Sequence, residues 1–152
     1  QFFDYPSLFN EFQEEYQQIF DTVCKKGAYI LQKELENFET NLARYANCKY
    51  ALGVGNATDG LIIALKAAGV KPGDEVITVA AGFPTTVNPI IQNNCIPVFV
   101  DVDIPTYNIN VNLLEDAYSD KTKAVMIAHT LGNPYNLKAI KEFTEKYNRT
   151  TL

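Results

Sequence analysis

From residue 50 onward the chain repeats one pattern: a short, almost unbroken apolar run, then a segment whose apolar residues recur every three or four positions. A strand buried on both faces reads as a continuous apolar run, and joining parallel strands requires a helical crossover. The alternation therefore predicts an α/β fold, a parallel sheet covered by helices on both sides with right-handed crossovers. Strands are expected at 50–55, 75–79, 96–102 and 123–128. Helices are expected at 58–68, closed by Gly69, and at 84–93, 111–118 and 136–147. Pro84 stands near a first helical turn, where its missing N–H costs nothing. The Pro-Gly pair of Lys71-Pro-Gly-Asp74 marks a turn.

Two amphipathic segments precede the first strand. Leu8, Phe12, Tyr16, Ile19, Phe20 and Val23 form one stripe of a helix over 7–26, with Ser7 after Pro6 as its N-cap and Gly27 as its stop. Leu31, Leu35, Phe38, Leu42 and Tyr45 form the stripe of a second helix that ends near Asn47. Faces of this kind pack on another part of a domain or on a second subunit. The expected organisation is an N-terminal helical segment, 1–47, followed by a sheet domain, 48–152.

At 152 residues, with 47% hydrophobic and 20% charged residues, the chain suits one soluble domain with a real core. The net charge of −5, without a basic run, argues against nucleic acid and anionic membranes as partners. No apolar run approaches the roughly 20 residues of a membrane span, and Gln1-Phe2-Phe3-Asp4-Tyr5 lacks the layout of a signal peptide. Cys24, Cys48 and Cys95 are odd in number and lack CxxC spacing, which fits a reducing cytoplasm better than a disulfide framework or a zinc site. Asn56-Ala-Thr58 and Asn148-Arg-Thr150 match the glycosylation sequon and, without an export signal, are read as chance.

Chemistry in such a sheet gathers beyond the carboxyl ends of the strands, here the loops 55–59, 80–83, 101–103 and 129–134. The stretch Tyr50-Ala-Leu-Gly-Val-Gly-Asn-Ala-Thr-Asp-Gly-Leu61 reads as strand, tight small-residue turn and helix start. Such a turn aims unpaired N–H groups and the positive end of a helix dipole at one point, a socket for phosphate or carboxylate. Asn56, Ala57, Thr58 and Asp59 would line it, unless Asn56 or Thr58 serves as a helix cap. The motif is neither GxGxxG nor a Walker loop, since no lysine follows. Phe83 reads either as a platform for a flat ring or as a side chain packed under its own loop. His129, the sole histidine, reads as a hydrogen-bonded structural residue with acid–base work as the alternative. Asp101 and Asp103 read as loop caps with a metal pair as the alternative. No Ser-His-Asp order and no activated cysteine is present.

The motifs Ala46-Asn-Cys-Lys-Tyr-Ala-Leu-Gly-Val-Gly-Asn-Ala-Thr-Asp-Gly-Leu61, Pro72-Gly-Asp-Glu-Val-Ile77, Pro97-Val-Phe-Val-Asp-Val-Asp103 and Ala128-His-Thr-Leu-Gly-Asn-Pro134 closely resemble the DegT/DnrJ/StrS family. The resemblance covers the chain from Gly27 onward. It implies the fold type I (aspartate-aminotransferase) large domain, with pyridoxal phosphate or pyridoxamine phosphate as cofactor and a nucleotide sugar as substrate. Val79-Ala-Ala-Gly-Phe-Pro-Thr-Thr-Val-Asn88 and the His129 motif look most like the RfbH-type CDP-4-keto-6-deoxyglucose 3-dehydratases, which remove a C3 hydroxyl in lipopolysaccharide and deoxysugar biosynthesis.

By position, the resemblance implies that Ala57 and Thr58, between Asn56 and Asp59, hold the cofactor phosphate. Phe83 would stack on the pyridine ring, Asn133 would lie near cofactor or substrate, and Tyr29 would stand close to the active site of a neighbouring subunit in a homodimer. Relative to the commoner Asn-Gly-Thr-Asp-Ala motif, Ala57 and Gly60 are exchanged, which the backbone accepts only if residue 57 avoids positive φ. The family's pyridine-pairing acid, its Schiff-base lysine or the histidine replacing it, and the iron–sulfur cysteines of the RfbH type all lie beyond the motifs present. The chain therefore reads as an N-terminal part, inactive alone, with no catalytic residue and no metal ligand assigned within it. In the family fold, the strand over 50–55 sits beside strands from later sequence, which would leave open sheet edges here. Two readings share these residues with the 3-dehydratase: a sugar-nucleotide aminotransferase, and a non-catalytic α/β module that binds a phosphorylated metabolite or docks through its N-terminal helices.

Overall fold

The computed structural model describes residues 3–27 and 29–152, and the chain divides after Gly53 into two units. Gln1, Phe2 and Ala28 lie outside the described residues. In the second unit the apolar runs pair as strands: β1 (Glu75–Val79), β2 (Ile96–Val100), β3 (Thr122–Met126) and β4 (Thr150–Thr151). The order is β2-β1-β3-β4, and every pairing is parallel. β1 lies inside the sheet, and Val76 and Ile77 are fully buried, each contributing about 1.5–3 kcal/mol of apolar burial.

Successive strand residues face opposite sides, and that alternation builds two cores. Ile77 and Val79 meet Val100, Val125, Leu114, Ile140 and Phe143 on one side. Val76 meets Ala124, Met126, Leu65, Ile90 and Cys95 on the other. The first side is covered by α6 (Leu114–Ala117) and α7 (Leu137–Lys146), the second by α4 (Ala57–Ala67) and α5 (Asn88–Gln92). The three-layer α/β fold is as the alternation requires. α4 is stopped by Gly69 in the left-handed region at φ 76°, where the Gly69 and Val70 N–H groups return to the Lys66 and Leu65 carbonyls.

The run over 50–55 does not form a strand. Tyr50 and Leu52 are 77% and 75% exposed, and the Gly53 N–H goes to the Glu39 carboxylate at 2.7 Å rather than to a ladder. An apolar run becomes a strand only with a neighbour to pair its backbone, and none is present among the described residues. Near the far end, Thr150–Thr151 already pairs with Ala124 and Val125. β2 stops at Val100 because the Asp101 carboxylate takes the Val102 N–H at 2.8 Å and Val102 bridges antiparallel to Ile109. The expected helices over 84–93 and 111–118 each open as a 3-10 turn, Pro84–Thr86 and Val111–Leu113, before α5 and α6.

The first unit is helical. The expected helix over 7–26 is two, α1 (Tyr5–Glu11) and α2 (Gln13–Lys26), broken at Phe12 with φ −119° and ψ 17°. The N-cap of α1 is Asp4, not Ser7: its carboxylate accepts the Ser7 N–H and hydroxyl. α2 ends at Gly27 with φ 64°. α3 (Lys33–Tyr45) follows, with Leu31 left outside it at φ 51°. The apolar stripe of α1 and α2 is exposed at Leu8, Phe12, Tyr16, Ile19 and Phe20. Among the described residues no helix is long and apolar enough to cross a membrane.

Two threonines of the sheet differ in one respect. Both are fully buried, but the Thr122 hydroxyl accepts the Ser119 N–H at 3.0 Å while the Thr78 hydroxyl has no partner among the described residues. A buried orphan hydroxyl costs more than a methyl group of the same shape. Urea unfolding of Thr78→Val is expected to show a gain of about 1 kcal/mol, and Thr122→Val a loss of about 1 kcal/mol. Equal effects in the two variants would contradict this assignment of the hydroxyls.

Candidate functional site

The Gly69–Asp74 turn leads α4 straight into the first residue of β1, so α4 ends at the amino edge of the sheet. Packed on the strands, its first turn points toward the carboxyl edge, where β1, β2 and β3 release their loops. A helix cannot pair its own first N–H groups. Here the Asn56 side chain settles one of them, accepting the Asp59 N–H at 2.9 Å while its amide donates to the Asp59 carboxylate at 2.8 Å. Both ends of the Asn56 side chain are thus spent on Asp59, and the carboxylate is turned to the cap. The N–H groups of Ala57 and Thr58 and the Thr58 hydroxyl have no acceptor among the described residues. Ala57 is not among the residues with positive φ, so its Cβ is accommodated without strain. Beside the first turns of α4 lies an open hollow of about 350 Å³ lined by Val54, Gly55, Asp59, Ile62 and Ile63.

After β1 the chain turns through Ala80 to Phe83. The Thr86 hydroxyl donates to the Phe83 carbonyl at 2.7 Å and its N–H to the same oxygen at 2.9 Å. Gly82 permits that turn, because a Cβ there would stand 2.7 Å from Thr86 Oγ1 and 3.2 Å from Val79 Cγ1. Phe83 is 75% exposed rather than packed beneath the loop. A fixed backbone under an exposed ring is what a stacking surface needs.

The loops after β2 and β3 are tied to each other. Asn108, to which the sequence assigns no role, is 4% exposed and bonds to the backbone at Thr130 and Asn133. The Asn133 side chain donates to the Thr106 carbonyl at 3.3 Å. His129 Nδ1 accepts the Tyr135 N–H at 3.3 Å, and the two rings stack at 4.4 Å and 15°. The histidine is therefore hydrogen-bonded within its loop. Asp101 and Asp103 serve their own turn, Asp101 on the Val102 N–H and Asp103 on the Thr106 hydroxyl at 2.9 Å. No group of three His, Cys, Asp or Glu among the described residues is placed to hold a metal. Tyr29 belongs to the first unit, where it is exposed and its hydroxyl lies 3.5 Å from the Cys24 carbonyl.

The second unit thus offers two unpaired amides and a hydroxyl at a helix start, an exposed ring after β1, and a braced loop after β3. A helix start with free N–H groups favours an anion, and the hydroxyl adds a third donor. A family model described as the DegT/DnrJ/EryC1/StrS aminotransferase family matches residues 10–150. The lipopolysaccharide biosynthesis protein RfbH of Salmonella typhimurium LT2 is 52% identical over 119 residues, 73% of this chain and 27% of that protein. A dTDP-4-dehydro-2,6-dideoxy-D-glucose 3-dehydratase of Saccharopolyspora spinosa is 41% identical over 118 residues, 72% of this chain and 26% of that one. The chain therefore spans about a quarter of the length of these two relatives. Among solved structures, ntda of Bacillus subtilis with bound cofactor pmp matches with a TM-score of 0.86 and 28% identity, over 91% of this chain and 32% of that one.

The roles at the helix start are separable. Asn56→Ala is expected to lower stability in urea unfolding by about 1 kcal/mol, the worth of an N-cap. Thr58→Val, which removes no internal bond, is expected to change it by less than about 0.5 kcal/mol. A larger loss for Thr58→Val than for Asn56→Ala would reassign the cap.

Proposed function

The chain belongs to the DegT/DnrJ/EryC1/StrS aminotransferase family, and from that premise we propose that its second unit is the phosphate-gripping part of a pyridoxal- or pyridoxamine-phosphate enzyme acting on a nucleotide-linked 4-keto-6-deoxy sugar. The reaction we assign to the whole enzyme is C3 dehydration. The single observation behind the cofactor reading is the unpaired donor set of Ala57 and Thr58. The likeness to RfbH and to a named 3-dehydratase supports the choice of reaction, and the pmp-bound neighbour supports the choice of cofactor.

The residues present fit such a group. A phosphate monoester carries only acceptors at neutral pH and needs donors without competing lone pairs close by. The Ala57 and Thr58 N–H groups are donors alone, and the Thr58 hydroxyl can turn its proton outward. The nearest carboxylate, Asp59, is already engaged by the Asn56 amide at 2.8 Å. When bound, the cofactor supplies an electron sink through its protonated pyridine ring. The chain's own part is to hold and orient. Ala57 and Thr58 fix the phosphate end, the face of Phe83 limits tilt of the ring and keeps water off it, and Asn133 borders cofactor or substrate from the loop after β3. Tyr29 is assigned to the substrate side of a neighbouring subunit in a homodimer, with the helical segment 1–47 as a distinct part from 48–152. The compartment assigned is the cytoplasm.

An aminotransferase would use every residue named here in the same way, and the family description favours that second reading. The two part company over the sugar that the whole enzyme releases. The aminotransferase leaves an amino group on it, whereas the dehydratase product has lost the C3 hydroxyl and gained no nitrogen, so mass analysis of the product separates them.

Absorbance titration of the chain with pyridoxal phosphate tests the site itself. Saturable binding is expected, with pyridoxal, which lacks the phosphate, bound at least about tenfold more weakly and Thr58→Val weaker by about five- to tenfold. Equal affinity for the two compounds would remove the phosphate from the account.

A further inference from the structure

Asn108 departs from what a loop asparagine ordinarily does. It is 4% exposed, and a buried amide is tolerated only when its polar atoms are paired. Its backbone is pinned by its own loop: the Asp103 N–H reaches the Asn108 carbonyl at 2.8 Å, and the Asn108 N–H reaches Thr106 Oγ1 at 3.3 Å. Its side chain is spent elsewhere. Oδ1 accepts the Thr130 N–H at 3.1 Å and Nδ2 donates to the Asn133 carbonyl at 3.0 Å, so one amide grips the loop after β3 at both ends of a four-residue turn. Asn133 returns the bond through its own amide to the Thr106 carbonyl.

The turn between those grips is one the sequence would not choose unaided. Leu131 stands at φ 53° and ψ 28°, a left-handed conformation that a leucine disfavours, and Gly132 follows at φ 77°. Leu131 is 95% exposed, so no burial of its side chain holds it there. The turn's own bonds, Gly132 N–H to the His129 carbonyl and Asn133 N–H to the Thr130 carbonyl, close it locally but do not fix where it sits. α7 is anchored separately through Ile140 and Phe143. Of the hydrogen bonds beyond the loop itself, two of the three to the neighbouring loop come from the Asn108 side chain, and the third is the Asn133 amide on the Thr106 carbonyl.

We propose that Asn108 is a positioning residue: through two hydrogen bonds to backbone it imposes the left-handed turn at Leu131 and sets Asn133 and the His129–Tyr135 pair at the carboxyl edge of the sheet. This rests on the reading of that edge as the cofactor site. Asn108 touches neither cofactor nor substrate and acts only by holding the loop that does. No aliphatic or hydroxyl side chain reproduces one acceptor and one donor at that separation.

The test uses the chain with Asn108→Ala, followed by proton NMR of its sole histidine and by amide exchange. The His129 ring protons, shifted by the Tyr135 face in the parent, are expected to move toward the free-imidazole position. The Thr130 amide is expected to exchange at least about tenfold faster, while the Ile77 amide in the middle of the sheet stays within about twofold. Affinity for pyridoxal phosphate is expected to fall by at least about fivefold. A folded Asn108→Ala chain with His129 signals and Thr130 exchange like the parent overturns the proposal. So does a disturbed loop with unchanged pyridoxal phosphate affinity. If Asn108→Ala does not fold, Asn108→Asp, which keeps the acceptor for Thr130 and loses the donor to Asn133, is read by the same criteria. A parent chain that does not bind pyridoxal phosphate refutes the cofactor reading instead, and the two NMR readouts then decide whether Asn108 holds the loop.

Discussion

An α-helix cannot satisfy its own first N–H groups, and what becomes of those of α4 governs the rest of this structure. Leu65, wholly buried, fixes the helix against Val76, Ala124 and Met126. The short turn at Gly69 sends the chain directly into β1. Together they aim the helix start at the edge of the sheet where three loops emerge. Asn56 then settles a single amide and keeps the Asp59 carboxylate occupied. The Ala57 and Thr58 N–H groups and the Thr58 hydroxyl have no acceptor among the described residues, and that unmet demand is the chemical content of the site.

The loops around that helix start are held in three different ways. The turn carrying Phe83 is fixed by the Thr86 hydroxyl and by the absence of a Cβ at Gly82. The loop after β2 uses its own acids, Asp101 and Asp103, as short-range braces. The loop after β3 closes on itself through its own backbone bonds and is tied to its neighbour by the two side-chain bonds of Asn108 and by the Asn133 amide on the Thr106 carbonyl. Exposed rings and polar side chains on these loops are therefore not loose ends, because each stands on backbone that is fixed from below. Membership of the DegT/DnrJ/EryC1/StrS aminotransferase family gives this arrangement its meaning, with the cofactor and substrate as the proposal built on it.

Much of the fold was legible because burial writes itself into periodicity. Glu75–Val79 is a strand with the bounds its apolar run implied, and α4 and α7 fall within one or two residues of their expected limits. What failed did so for reasons outside the local pattern. Residues 50–55 carry a strand's pattern, yet no described neighbour offers a ladder, and Leu52 stays exposed. The break at Phe12 interrupts an apolar stripe whose spacing continues straight through it. The exposure of that stripe in the structure shows how little its periodicity alone determines. In the candidate site, the small-residue bend and Phe83 were visible from composition and position. Asn108 was not: its partners lie more than twenty residues away, and no spacing rule connects them.

The central claim is that the amides at the start of α4 grip an anion. It is tested most directly by assigned backbone amide shifts of the chain during titration with pyridoxal phosphate. The largest changes are expected at Ala57 and Thr58, with Phe83 next as a ring settles near it. If those three amides stay unmoved while others shift to saturation, the ligand binds elsewhere and the account built on this helix start is wrong.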